Sequence, residues 1–220
     1  MPRTPVLVVL LTALGACKSS GYEQAGAAAD RTASYREDLV RVREQVGLTT
    51  EALRALSESG SDSARSNRET FETYARELTN LGAAAAHSRK TYGKMDGRAE
   101  TFFGGWTEDA ARIEDADLKH SAEQRRAALQ ANYAKLAQGQ VELDAALERL
   151  VRELDDLRLY LEHDLTAAGI ASARPTIAKT SADGAALQER LAAQARASDA
   201  ARDALEPLKE QAPSQQRPVR

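Results

Sequence analysis

The sequence predicts an all-α protein: an elongated antiparallel coiled coil or four-helix bundle whose two long central helices form a projecting hairpin. Three observations predict it. Apolar residues recur at alternating spacings of four and three over long stretches, and Ala, Leu, Glu, Arg and Gln dominate the composition. Helix breakers are few, with 13 Gly and 6 Pro among 220 residues, too few for an all-β fold with turns at short intervals. Ala and the straight-chain residues lose little freedom in a helix. A seven-residue repeat sustained over several heptads specifies coiled-coil packing.

Residues 1–16 read as an export signal. Arg3 is the only charged residue among them, and residues 6–14 (VLVVLLTAL) form a continuous apolar run. A short basic start, a brief apolar segment and small residues before a cut define such signals. The run is too short to span a bilayer, which takes roughly 20 apolar residues. It is followed by Leu14-Gly15-Ala16-Cys17, and Cys17 is the only cysteine in the chain. A single cysteine excludes an intramolecular disulfide and a thiolate-rich metal site. The four residues resemble the bacterial lipobox, in which the thiol accepts a diacylglyceryl group before the signal is removed. On this reading Leu14, Gly15 and Ala16 form the cleavage-recognition site, small enough to admit the peptidase, and Cys17 becomes the lipidated amino terminus. Two or three acyl chains anchor stably, whereas one binds reversibly. By resemblance to lipoprotein sorting in Gram-negative bacteria, Lys18 after the cysteine implies the outer membrane, facing the periplasm.

Residues 17–30 are expected to be the lipidated cysteine and a flexible tether, because KSSGYEQAGAAAD is small, polar and without evident period. The helical body is expected over residues 31–208. Its first segment carries Tyr35, Leu39, Val42, Val46, Thr49, Leu53 and Leu56 in strict 4-3 spacing, and residues 60–63 (GSDS) end it as a turn. The second runs through Phe71, Tyr74, Leu78, Leu81, Ala85, Ser88, Tyr92, Met95, Ala99, Phe102 and Trp106. A polar break over residues 114–121 follows, with Asp117 as a candidate cap of the next helix.

The third segment is the most regular, from Leu129 and Tyr133 through Leu136, Gln140, Leu143, Leu147, Leu150, Leu154 and Leu157 to Leu161. Gly169 and Pro175 predict a bend, since proline disfavours helix in the residue before it. A weaker fourth segment carries Leu187, Leu191, Ser198, Ala201, Leu205 and Leu208, and residues 209–220 are expected to be a disordered tail. Segments two and three run to about 50 residues each, or about 75 Å, and segments one and four to about 30 and 35. A helix with one apolar stripe needs a neighbour along it. Four helices therefore pack at one end, and the two long ones project together beyond the other. Gly104-Gly105 interrupts the second segment, each Gly costing roughly 1 kcal/mol relative to Ala. It reads either as a hinge beside exposed aromatics or as a weak spot whose aromatics fill the seam.

Charge and motif content exclude several functions. The net charge is −3, with acids and bases interspersed. Nucleic-acid binding needs a basic face, so no nucleic-acid partner is expected. His87, His120 and His163 lie far apart and outside any metal-binding spacing, so neither metal nor other cofactor is expected. Glu162-His163-Asp164 cannot converge, because adjacent helical side chains point in different directions. Asp155 and Asp156 beside Arg152 and Arg158 read as solvated salt-bridge partners. Gln140 and Ser88 sit at seam positions, where a polar residue either sets register or is tolerated at an edge. No catalytic set is assembled, so no enzyme activity and no small-molecule substrate are expected.

The stretch Leu159-Tyr160-Leu161, Leu165, Ala167, Ile170 and Ala171, together with Phe103 and Trp106, resembles a family of uncharacterised bacterial helical proteins catalogued as a domain of unknown function. The family shows a Tyr-Leu-Lys-x-Asn-Leu-Asn-Ala-like run and a Phe-x-x-Trp element there, and the likeness spans most of residues 35–206. Asp164 and Thr166 stand where the family tends to have Asn. The resemblance implies an all-helical envelope protein and brings no catalytic residues. The function expected is a lipid-anchored structural or protein-interaction module. It meets a membrane through its lipid, and a protein partner or a second copy through its coiled coil. Phe102, Phe103 and Trp106 near the central hairpin are the candidate contact residues. The alternative is a periplasmic carrier or chaperone that shelters lipid or unfolded protein between its helices.

Overall fold

The computed structural model describes residues 21–59 and 63–209. They form four long helices: α1 (Gly21–Ser59), α2 (Ala64–Ala111), α3 (Ala116–His163) and α4 (Ala167–Lys209). Each helix packs against the next in sequence, and α1 packs against α4, while the backbones of the diagonal pairs α1–α3 and α2–α4 stay apart and meet only through side chains. The arrangement is an antiparallel four-helix bundle in up-down-up-down order.

The turns are built by local capping. Ser63 precedes α2 in an extended conformation, and its hydroxyl accepts a hydrogen bond from the Ser66 amide. Asp115 caps α3, its carboxylate accepting from the Leu118 amide at 2.9 Å. Asp117, the residue expected to cap, lies instead in the first turn of α3, where a negative charge suits the helix dipole. Thr166 caps α4 by accepting from the Gly169 amide at 3.1 Å. A side-chain oxygen at these positions satisfies an amide with no partner inside the helix.

The bend expected at Gly169 and Pro175 falls earlier, at residues 164–166, and α4 runs unbroken through Pro175 and Pro207. An interior proline removes one helical hydrogen bond and frees the carbonyl four residues before it. Here Pro175 and Pro207 are exposed, and so are Ala171 and Asp203, whose carbonyls lose their amide donor. Water can solvate both carbonyls.

The first helix also corrects the expected tether. Residues 21–30 are the first turns of α1, with Ala25, Ala28 and Ala29 buried. The buried series Ala25, Ala28, Thr32, Tyr35, Leu39, Val42, Val46, Thr49, Leu53 and Leu56 keeps one 3-4 alternation throughout. In α4 the series Ile170, Ala173, Ile177, Thr180, Gly184, Leu187, Leu191, Gln194, Ser198, Ala201, Leu205 and Leu208 does the same. Small or polar residues occupy seam positions that large apolar ones hold elsewhere. The helices are 39, 48, 48 and 43 residues long, so α2 and α3 are the longest and the expected projecting hairpin is present but short. Gly21, Trp106, Arg125 and Leu208 line one groove, so all four helices come level at that point. Beyond Trp106, α2 continues five residues to Ala111, about 8 Å at 1.5 Å per residue.

The core extends from Tyr35 to Ala201 across all four helices, and a second cluster fills the end where α1 begins. Several polar side chains in the seams bond from one helix to another. Tyr35 donates to Gln140 Oε1, Gln194 donates to the Leu136 carbonyl at 2.8 Å, and Tyr74 donates to the Leu154 carbonyl. Gln140 thus ties α1 to α3 across the middle of the bundle. Between α1 and α2, Gln45 donates to the Glu77 carbonyl and carboxylate, and Thr49 donates to the same carbonyl. The Gln45 and Asn80 amides hold the Glu77 carboxyl below the usual carboxylate range.

The α1–α4 seam is the closest. A Cβ built at Gly184 would lie 2.6 Å from Thr50 Cγ2 and 3.7 Å from Val46 Cγ1. Thr50 cannot easily turn away, because its hydroxyl donates to the Val46 and Gly47 carbonyls at 2.9 and 3.1 Å. Gly184→Ala is therefore expected to destabilise the protein by about 1–3 kcal/mol in urea unfolding, although alanine is the better helix former. A more stable variant would show that the seam yields. Burial raises the phenol pKa of Tyr35, Tyr74, Tyr92 and Tyr133 above the ordinary tyrosine range. The unfolded chain releases these protons near pH 10, and the folded protein only at higher pH. Their contribution to stability is full below about pH 10 and is lost as pH rises beyond it. In an alkaline titration their tyrosinate absorbance should appear together with loss of helical circular dichroism; ionisation with the helices intact would contradict this.

Candidate functional site

The end of the bundle where α1 starts and α4 finishes carries the densest aromatic group. On α2, Phe102, Phe103 and Trp106 fall within about one turn, so their rings share one side of the helix. Ring centroids are 5.1 Å apart for Phe102 and Phe103, and 5.6 Å for Phe102 and Trp106, the latter pair edge to face. Phe103 reaches across to Tyr133 on α3 at 6.0 Å. Small side chains make room for them: Ala25, Ala28 and Ala29 on α1 and Ala99 on α2 face the rings, and Leu205 and Leu208 on α4 close the cluster.

Phe102 is 3% and Phe103 9% exposed. Expected as contact residues on a projecting hairpin, they are instead core, because α1 and α4 extend far enough to cover them. Only Trp106 is partly open. It borders a groove of ≈ 290 Å³ whose other walls are Gly21, Tyr22, Gln24, Phe102, Gly105, Asp109, Arg125 and Leu208. Sequence reasoning missed Tyr22, Arg125 and Leu208 as its neighbours; the spacing of Ala25, Ala28 and Thr32, in step with Tyr35, was the available signal.

Tyr133 donates to Asp96 Oδ1 at 2.9 Å. Desolvation raises its phenol pKa first, and the hydrogen bond and negative charge of Asp96 raise it further. This is a tie between α2 and α3.

His87, His120 and the 162–164 run lie apart from one another, each paired with its own neighbours. His87 lies 3.5 Å from the buried Asp38 carboxylate, which also accepts from Arg41 at 2.7 Å. His120 bonds Gln124 one turn along α3. Glu162 pairs with Arg158 at 2.9 Å, His163 ends α3, and Asp164 caps it. Asp155 pairs with Arg158 at 2.8 Å. Among the described residues no group of three His, Cys, Asp or Glu side chains is arranged to hold a metal ion, and no helix is long and apolar enough to cross a membrane. The expected cleavage and lipidation residues Leu14, Gly15, Ala16 and Cys17 lie outside the described residues.

An antiparallel bundle of four long helices, with several polar side chains tied between helices in its seams, defines an all-α protein built around one long core. Residues 15–205 match the DUF2959 family, described as protein of unknown function, and the chain belongs to that family. No curated protein and no solved structure matches the chain.

Gly104 and Gly105 are both helical, so the hinge reading has no break in α2 to rest on. A Cβ at Gly104 meets nothing, whereas one at Gly105 lies 2.9 Å from Gln24 Oε1. Gly104→Ala is expected to add about 1 kcal/mol of stability and raise Tm by roughly 2–4 °C in a calorimetric scan. A lower Tm would mean that α2 needs the glycine for a reason other than space.

Proposed function

We propose that the protein is a lipid-anchored cell-envelope module with a structural or protein-binding role, its helical rod tied to a membrane by acyl chains on Cys17. The observation that carries this is the single cysteine of the chain directly behind Leu14-Gly15-Ala16 and the apolar run of residues 6–14. A thiol at that position is what diacylglyceryl transfer requires, and no other cysteine competes for the role.

The body supports the reading in two ways. Several of its buried polar side chains tie one helix to another, which suits a rod that positions or braces. Residues 18–20 alone stand between Cys17 and Gly21 of α1, so a lipid on Cys17 would sit close in sequence to the helical body. Lys18 after the cysteine favours the outer membrane, with the rod in the periplasm and a protein partner, or a second copy, as what it meets there.

The test is metabolic labelling with a fatty-acid analogue. The unaltered protein should carry the label, and Cys17→Ser should carry none and leave the membrane fraction. Undiminished labelling of the serine variant would overturn the proposal.

A further inference from the structure

The start of α1 and the hairpin tip lie at the same end of the rod. Gly21, where α1 begins, shares a groove with Trp106 of α2 and Arg125 of α3, and α4 ends beside them at Leu208. Three residues separate Cys17 from Gly21, and an extended chain spans at most about 3.5 Å per residue step, so the four steps give roughly 14 Å of backbone between them. Since α2 extends about 8 Å past Trp106, a chain held at Cys17 keeps the 112–115 turn and the groove within reach of the bilayer surface. The opposite end, formed by Ser63 and the 164–166 turn, lies roughly 60 Å along the rod from Trp106.

Although Asp109, Glu114, Asp115 and Asp117 also lie at the near end, its aromatic and apolar residues suit that position. Tyr22 is 41% exposed on the groove wall, Trp106 is partly open beside it, and Leu118 in the first turn of α3 is 64% exposed. Trp and Tyr concentrate at membrane interfaces because an apolar ring with a polar tip fits the headgroup layer. Arg125 on the same wall has the planar guanidinium that pairs with phosphate.

We infer that this end of the bundle, the groove lined by Tyr22, Trp106 and Arg125 with the α2–α3 tip beyond it, docks against the phospholipid headgroup layer and stands the rod away from the membrane. The inference rests on the proposed anchorage of the N-terminus. It also moves the surface free to meet a partner from the hairpin to the opposite end, where Leu159 and Tyr160 are exposed.

Trp106 is the only tryptophan in the chain and serves as the reporter. The membrane-extracted protein is reconstituted into phosphatidylcholine–phosphatidylglycerol vesicles containing a headgroup spin-labelled phospholipid. A second protein carries Trp106→Phe and Leu159→Trp, placing the reporter roughly 50 Å along the rod. Quenching of Trp106 with the distal reporter unaffected is the expected result. Quenching of the distal reporter, alone or together with Trp106, would mean a reversed or flat-lying rod and overturn the inference. Absence of quenching at both sites overturns it too, as does failure to sediment with the vesicles. The mass of the Cys17 peptide from the same preparation tests the anchor separately: an unmodified cysteine beside a quenched Trp106 refutes lipidation and leaves the docking standing.

Discussion

The structure depends on the seam along which the first helix meets the last. A helix with a single apolar stripe is stable only where another stripe covers it, and α4 is the weakest stripe of the four. Its seam includes Thr180, Gly184, Gln194 and Ser198 in place of large apolar residues. Such a helix gains little by burying bulk, so it gains by close approach. Gly184 lets α4 reach Thr50 and Val46 of α1, and Gln194 spends its amide on the Leu136 carbonyl of α3. With α4 held, the ring of four closes, and α2 and α3 find neighbours along most of their length.

That closure sets the shape of both ends. Because α1 starts at Gly21 and α4 continues to Lys209, they cover the aromatic group on α2 that would otherwise face water. Phe102 and Phe103 thereby become core, and the alanines of α1 are the small partners that large rings require. The same closure brings the chain's N-terminal side to the hairpin end. If Cys17 carries the lipid, the tip cannot also be the far point of the rod, and the geometry of anchorage follows from helix length alone.

The polar seam residues give the bundle a defined register. A leucine ladder can slide by a heptad at modest cost, whereas Gln140 accepting from Tyr35 and Gln45 donating to Glu77 are satisfied in one alignment only. A buried polar group left without its partner costs about 1–3 kcal/mol. The two readings of Gln140, register-setting or tolerated, resolve toward the first, since its partner lies on a different helix and is itself buried.

By itself the sequence determined the all-α class, the number of helices, and the seam residues from Tyr35 to Leu56, Phe71 to Trp106 and Leu136 to Leu161, because a stripe of large apolar residues at heptad spacing has one physical outcome. The case for the proposed lipid anchor also rests on sequence alone, since Leu14 to Cys17 resembles a local motif that is recognised without the fold. Only the tertiary structure decided how long α1 and α4 are. Alanine, glycine, threonine and serine are apolar seam or polar surface according to what faces them, so Ala25, Ala28, Thr180 and Gly184 carried no signal strong enough alone. Proline misled for the same reason: Pro175 ends a helix in isolation, but a neighbour that binds the helix on both sides of it, with the freed carbonyl left in water, keeps α4 whole. The position of Phe102 and Phe103 inside rather than outside follows from those lengths, because burial belongs to the partner surface as much as to the residue.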